Sequence, residues 1–317
     1  MDVRQLRYFI AVVEAGSFSR AAERLHVAQP ALSQHVLAME AELGIFLLHR
    51  SARGVKPTEE GLRLFDEART IQTRISGLRD HVRGGDARPY GQVRFGMPGT
   101  VSEQLSVPLI EAAQKEFPDI SLRIAEAMSG FVLDWLREGV VDIALLFDAP
   151  DTKGLIRHEA LSEEIVLFGA TDIKGAPKGP DIALQAALRL PLVLPSPSHG
   201  LRMLIDAAAL AAGIDVHPSV EIDSYRQIKR LVARGAAFAI LPISAIEAEV
   251  RSGAMRAWRL QKPAIRRRVI LAYPADRQLS GASRAVLQLG WHVLRDIVQS
   301  GIWRAQWTGA EELNFTG

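Results

Sequence analysis

The chain contains no cysteine in 317 residues, which excludes disulfides, thiol catalysis and cysteine-ligated zinc. Long apolar runs are missing as well. No stretch approaches the roughly 18 residues that span a bilayer, and no basic segment followed by an apolar core opens the chain; no membrane partner and a cytoplasmic location are expected. Charge of one sign is scarce: the net charge is +2, while an apolar fraction of 48% supplies core for about two to three folding units. Catalytic signatures are lacking too. There is no Gly-x-Gly-x-x-Gly, Walker loop, His-Glu-x-x-His or Gly-x-Ser-x-Gly elbow, and the eight histidines have no ligand spacing. Ser196 and His199 could suggest a nucleophile and base, but no acidic orienter accompanies them and prolines lie close by. A protein without metal or cofactor, and not an enzyme, is expected.

What is present is concentrated near the start. Ser17 to Leu43 reads as two short helices joined by the His26-Val27-Ala28 turn. The first has Ser17 as N-cap and an apolar face of Phe18, Ala21, Ala22 and Leu25, whose small residues admit a close neighbour. In the second, Pro30 sits in the first turn, and Leu32, Val36, Met39 and Leu43 repeat at spacings of four, three and four. That stripe faces a core. At about 100° per residue, Pro30, Ser33, Gln34 and Leu37 point away from it, with Gln29 at the N-terminal end. Glutamine bonds an adenine edge bidentately, serine bonds base or phosphate, and Pro30, Ala31 and Leu37 offer apolar contact to thymine methyls. His35 completes the candidate DNA-facing set.

An ordinary helical hairpin is the alternative, and the context argues against it. Leu6, Phe9, Ile10 and Val13 mark a supporting helix that ends near Gly16, and Gly44 stops the second helix. Residues 45–58 then read as two short strands around Ser51-Ala-Arg-Gly54. Arg50, Arg53 and Lys56 crowd this hairpin, as cations of a wing that holds phosphate. Residues 1–58 are therefore expected to form a winged helix-turn-helix that binds double-stranded promoter or operator DNA. They carry seven Lys/Arg against five Asp/Glu, an excess equal to that of the whole chain, so it lies where DNA is expected. Arg266 to Arg268 is a separate basic run, read as a solvated strand end.

Leu6-Arg-Tyr-Phe9, Gly16-Ser-Phe18, Ala21-Ala-Glu-Arg-Leu25, Gln29-Pro-Ala-Leu-Ser33, Leu43-Gly44, Leu48-His-Arg50 and Pro57-Thr-Glu-Glu-Gly61 fall in a familiar order and spacing. Through about residue 303 the chain strongly resembles the LysR-type transcriptional regulators. The string Leu25 to Gln34 is similar to the subgroup containing the nitrogen assimilation control regulator, which does not fix an effector. Ala28 departs from the family, where most relatives place serine, so the cap of the reading helix is missing or comes from Gln29.

From Thr58 on, Leu64, Ala68, Ile71, Ile75, Leu78 and Val82 form a heptad seam that ends at Gly84-Gly85. Over roughly 25 residues at about 1.5 Å each, it makes a helix about 37 Å long. A helix packed on its own domain is the alternative, but nothing near in sequence covers so long a seam. The resemblance implies self-association too, because in this family the linker helix pairs two DNA-binding domains; it further implies a homotetramer made of two dimers. Two heads read a two-fold symmetric site with half-sites about one helical turn, or a multiple of it, apart. RNA polymerase is a further candidate partner. Residues 59–90 are thus linker helix and hinge.

Beyond the hinge, strands and helices alternate: Val93 to Met97, Ser102 to Glu116, Ile120 to Glu126, Gly130 to Glu138 and Val141 to Phe147, then a second set from Glu164 to about Leu260. Val269 to Tyr273 and a helix from Arg284 to Gln299 return to the first set. Such alternation gives mostly parallel sheets with a ligand crevice at the strand ends. The resemblance makes 91–303 the family's two-lobed, periplasmic-binding-protein-like effector domain, with lobe I at 91–161 and 267–303 and lobe II at 162–266. The expected fold class is multi-domain α+β, with the two-lobed part α/β. Gly96 to Ser102 is a strand-to-helix loop whose N–H groups and hydroxyls suit an anion, and Pro195 to Arg202 is its counterpart. By resemblance, Thr100, Ser102, Ser129, Phe147, Ser196, Ser198, His199 and Arg202 line a cleft for a small-molecule effector, with an anionic one suggested by these loops. Arg202 is a candidate partner for a carboxylate. Turn and capping roles without a ligand are the alternative for each. A free-standing solute-binding protein fits the C-terminal two-thirds but not the DNA-reading head. Residues 304–317 read as a loose polar tail.

Overall fold

The computed structural model describes residues 1–51, 54–83, 88–148 and 153–313, apart from the side chains of 70, 73, 74 and 76–83. Two compact units are present: Met1–Pro89 with Asp276–Arg284, and Tyr90–Ala275 with Ala285–Gly317.

The first unit contains α1 (Val3–Ala15), α2 (Phe18–Leu25), α3 (Gln29–Leu43), the hairpin strands β1 (Leu48–Ser51) and β2 (Gly54–Pro57), and α4 (Glu59–Arg83). Asp2 starts α1 with a capping box: its carboxylate accepts from the Gln5 N–H, and the Gln5 side chain accepts from the Asp2 N–H. Gly16 ends α1 in the left-handed conformation at φ 58°. Ser17 stands at the N-cap of α2, but its hydroxyl makes no capping bond, and α3 follows Ala28 with no side-chain cap. Leu32, Val36 and Met39 are buried with Phe9, Ala21 and Ala22. Leu43, expected in the same stripe, is exposed, and Glu40 is buried in its place.

Two close approaches fix the hairpin. Gly54, at φ 125°, brings β2 against the turn after α1, where the Val55 N–H donates to the Gly16 carbonyl at 3.0 Å. Just before α4, the Thr58 hydroxyl accepts from the Gly61 N–H at 2.9 Å and donates to the Phe46 carbonyl at 2.8 Å. Phe65 and Ala68 of α4 then join the core of this unit, with Leu64 partly buried against it, whereas Ile71 is exposed. The front of the heptad seam is thus used within its own head, contrary to a seam free from Leu64 onward. The side chains of Leu78 and Val82, and Gly84-Gly85, lie outside the described residues.

The second unit begins with β3 (Gly91–Pro98), α5 (Gly99–Glu116), β4 (Ile120–Ala127), α6 (Ser129–Arg137) and β5 (Ile143–Phe147). There follow β6 (Leu155–Ala170), β7 (Asp181–Ala183), α7 (Leu184–Ala187), β8 (Leu192–Leu194), α8 (Gly200–Ala211), β9 (Val220–Glu221), α9 (Tyr225–Ala233) and β10 (Phe238–Pro242). A 3-10 turn (Ile243–Ala245), α10 (Glu247–Arg251), β11 (Met255–Gln261), β12 (Arg266–Pro274), α11 (Gly281–Gln299, of this unit from Ala285 on) and β13 (Gln306–Trp307) complete it. The strand path runs β4-β3-β5-β12-β6-β10-β8-β9, with β11 and β13 also on β6 and β7 on β11. β3 pairs in parallel with β4 and β5, and β8 with β9 and β10. All five residues of β5 but the last are buried, as helix-covered parallel strands require.

β6 makes two lobes of one path. From Leu155 to Glu164 it pairs antiparallel with β12, and from Ile165 onward with β10 and β11. The chain therefore crosses between lobes at Glu164–Ile165 and returns between β11 and β12.

As far as residue 313, the segment after α11 is not the loose tail expected of residues 304–317. β13 pairs with β6 at Leu161 and Ser162, Trp303 is fully buried, and the Trp291 indole donates to the Ala310 carbonyl at 3.1 Å. The apolar area of Trp303 and Trp307 outweighs their polar neighbours, and each tryptophan fixes the chain on both sides of it.

Candidate DNA interface and effector cleft

In the first unit, Gln29, Pro30, Ala31 and Gln34 are exposed on the N-terminal half of α3, beside a part-buried Ser33 and an exposed Leu37. Their shared face follows from the burial of Leu32, Val36 and Met39 on the other side. His35 does not join them. It lies two positions, about 200°, from Ser33 around the helix, and its ring meets Tyr8 of α1 edge-on at 5.1 Å. Arg50 is engaged as well: its guanidinium donates to Glu40 at 3.1 Å and to Ser33 at 3.3 Å, and lies 4.9 Å from the centre of the Phe18 ring. It ties wing to reading helix instead of standing free for phosphate. Lys56 is exposed on β2 opposite His49. Arg53 lies outside the described residues.

Glu40 was missed from the sequence. Its Oε1 accepts the Leu47 and Leu48 N–H groups at 2.8 and 3.2 Å, holding the strand entry, while Oε2 takes Arg50. The available signal was its spacing: four residues after Val36, it belongs to the buried face.

In the second unit a cleft of about 830 Å³ opens at the strand ends. Thr100, Ser102, Ser129, Phe147 and His199 line it, with Asp223, Tyr225, Arg226 and Lys229. The helices α5 and α6 start here, and Pro98 and Met128 at their N-caps make no side-chain capping bond. His199 accepts the Leu201 N–H on Nδ1 at 3.2 Å and meets the Tyr225 ring edge-on at 5.3 Å. Burial, reinforced by Arg267 and opposed by Asp223, lowers its pKa, which favours the neutral ring.

Ser196, Ser198 and Arg202 do not line the cleft. The N–H and hydroxyl of Ser196 both donate to Asp223, at 2.8 and 3.0 Å, and Ser198 bonds Ser196. Arg202 is 6% exposed and held by Asp206, Glu221 and the Pro195 carbonyl. This loop uses its polar groups to brace itself.

The expected solvated run Arg266 to Arg268 is split by the strand. Arg266 and Arg268 are exposed and pair with Glu164 and Asp148, at 3.6 and 2.6 Å. Arg267, on the opposite face, is 2% exposed. Its Nε donates to Glu163 at 2.6 Å and its Nη2 to Thr100 at 2.8 Å, with the guanidinium 3.9 Å from the centre of the Phe147 ring. Glu163 is fully buried and also accepts from Ser244 and, at 3.1 Å, from the Trp303 indole. Strand alternation was the signal that could have placed Arg267 inward. Lys229 lies 2.9 Å from Glu249 of its own lobe and, across the cleft, 3.8 Å from Glu103, while Gln104 donates across it to the Ser244 carbonyl at 3.3 Å. The lobes also approach where a Cβ on Gly200 would stand 2.7 Å from the Ser129 hydroxyl.

A helix-turn-helix with a wing, joined in one chain to a two-lobed domain with a polar cleft, defines a DNA-binding transcriptional regulator with an effector-binding domain. The chain belongs to the LysR family: the model of the lysR-family bacterial regulatory helix-turn-helix protein matches residues 3–62, and that of the LysR substrate binding domain matches residues 86–294. It is 32% identical over 310 residues to the nitrogen assimilation regulatory protein nac of Escherichia coli (strain K12), across 97% of this chain and 99% of that one. Its fold is similar to that of a full-length OxyR variant from Pseudomonas aeruginosa, with a TM-score of 0.79, 25% identity and 99% of each chain covered. It is also similar in fold to full-length CbnR complexed with its target DNA, at a TM-score of 0.53, 25% identity, and 93% and 100% coverage of the two chains. The protein is a regulator and not an enzyme. Among the described residues, no helix is long and apolar enough to cross a membrane.

Proposed function

We propose that this regulator reads its operator through Gln29, Pro30, Ala31 and Gln34, and that a small anionic effector seated between the lobes modulates its DNA binding or promoter activation. One observation carries the reading: α5 and α6, both without side-chain caps, begin at one polar cleft shared by both lobes. An effector that fits the closed lobes better than the open ones shifts that equilibrium. Two such chains, paired along α4 beyond Ile71 and assembled further into a tetramer, would convert the shift into altered spacing and bending of contacted DNA. RNA polymerase at the promoter is the partner that would sense it, in the cytoplasm.

The test is a gel-shift titration at fixed physiological salt on DNA upstream of the protein's own coding region, against scrambled competitor. Gln29→Ala and Gln34→Ala are each expected to cost about 1–3 kcal/mol on the retained site and little on random DNA. Equal weakening on both would remove base reading from these residues. Lys56→Ala is expected to weaken every sequence and to lower the slope of log affinity against log salt by about one. An unchanged slope would take Lys56 off the phosphates.

A further inference from the structure

We infer that the effector is a monocarboxylate, and that its carboxylate sits against the Tyr225 hydroxyl and the Arg267 Nη1 at the inner wall of the cleft. The inference rests on the cleft being the effector site and gives that site its chemistry.

Two buried donors carry it. Among the described residues, neither Arg267 Nη1 nor the Tyr225 hydroxyl has a well-formed hydrogen-bond partner, although the guanidinium lies close enough to the phenol to act on it. A guanidinium only donates. Were one Nη1 hydrogen turned to the phenol oxygen, the phenol hydrogen and the other Nη1 hydrogen would still lack an acceptor. A buried donor left without one is costly, so two side by side call for an acceptor oxygen. The place is part of the cleft: Tyr225 lines it, as do Thr100 and Phe147, which touch the same guanidinium. Thr100 accepts from Arg267, which leaves its own hydroxyl hydrogen to donate. Burial pushes the Tyr225 pKa up to about 12, so the phenol keeps its proton and adds no negative charge.

Charge selects a monoanion. Glu163 already neutralises Arg267 at 2.6 Å. The lining cations Arg226, Lys229 and Arg230 face the carboxylates of Glu103, Glu126, Asp223 and Glu249, so side chains add no net positive charge, and what remains is the partial charge of the α5 and α6 N-termini, about +0.5 each, together about one unit. A carboxylate matches it. A phosphate dianion would exceed it, in a cleft whose four carboxylates already outnumber its three side-chain cations.

The test is calorimetric titration of the full-length protein with pyruvate and benzoate, with benzamide and glucose as uncharged probes, and with inorganic phosphate. Pyruvate or benzoate is expected to bind, and the other three are not. Tyr225→Phe is expected to weaken that binding about tenfold or more, as for a lost hydrogen bond to a charged group. Without ligand, its thermal midpoint is expected not to fall, because the hydroxyl has no well-formed hydrogen bond to lose; a hydroxyl with a merely structural role would lower it. Ser129→Trp, which fills the cleft, abolishes binding. Failure of both monocarboxylates to bind overturns the inference. If phosphate or an uncharged probe binds instead and Ser129→Trp blocks it, the carboxylate falls and the cleft stands. If a monocarboxylate binds Tyr225→Phe and Ser129→Trp as it binds the unaltered protein, the cleft itself is not the site.

Discussion

Replacing Glu163 with leucine is expected to lower the stability of the effector domain by about 3–5 kcal/mol, the cost of leaving a buried charge without its counter-ion. Glu163 is fully exchanged from water for protein partners: Arg267, Ser244 and the Trp303 indole all donate to it. Those partners come from β12, from the turn after β10 and from the segment after α11, so one side chain joins both lobes and the C-terminal segment. Leucine removes every acceptor and leaves Arg267, 2% exposed, as an isolated cation. Urea unfolding followed by tryptophan fluorescence reads the loss directly. The double variant Glu163→Leu, Arg267→Met is expected to recover about half of it, because apolar residues replace buried ion pairs well. Recovery stops short of complete because the Ser244 hydroxyl can turn elsewhere but the Trp303 N–H is fixed by its ring. A single variant as stable as the unaltered protein would show that water reaches Arg267 and that the pair does not hold the lobes together.

The same residues show what sequence reasoning could and could not see. The helices of the head and the βαβ order behind them follow from periodicity, because apolar residues such as Leu32, Val36 and Met39 dominate the buried faces. Glu40 and Arg267 break that logic. Each is a charged residue at a position whose spacing points inward, and composition argues the opposite; only the partner, Arg50 in one case and Glu163 in the other, resolves the conflict. Those partners stand on other elements, so periodicity within one helix or strand holds no trace of them. The long strand β6 escaped for a related reason. Its sixteen residues serve two sheets, and the switch at Glu164–Ile165 breaks any single alternation along it. Loop polarity misled at Ser196, Ser198 and Arg202, where hydroxyls and a guanidinium suited to a ligand are taken up by Asp223, Asp206 and Glu221. Thr100 and Ser129 were placed at the cleft by family resemblance, and their positions at two helix starts explain why.

Glu40→Ala is the corresponding experiment in the head, with an expected loss of about 3 kcal/mol in stability and weaker operator binding with it. The carboxylate accepts the N–H groups of Leu47 and Leu48, whose side chains are 0% and 5% exposed, so little water can replace it. Alanine leaves both N–H groups without an acceptor and Arg50 without its ion pair. Arg50 also donates to Ser33 on the reading helix, so its release loosens β1 from α3 just where the wing takes its register. Glu40→Gln separates the two roles. The amide oxygen keeps the backbone N–H groups, while the amide NH₂ faces the Arg50 guanidinium, donor against donor. Glutamine is therefore expected to retain most of the stability yet free Arg50, raising affinity for random DNA relative to the operator. Thermal unfolding of the isolated variants and competition gel shifts measure the two effects independently. If alanine and glutamine lower stability equally, the backbone contacts are not what Glu40 supplies; if neither alters discrimination between operator and random DNA, Arg50 does not set the wing on the reading helix.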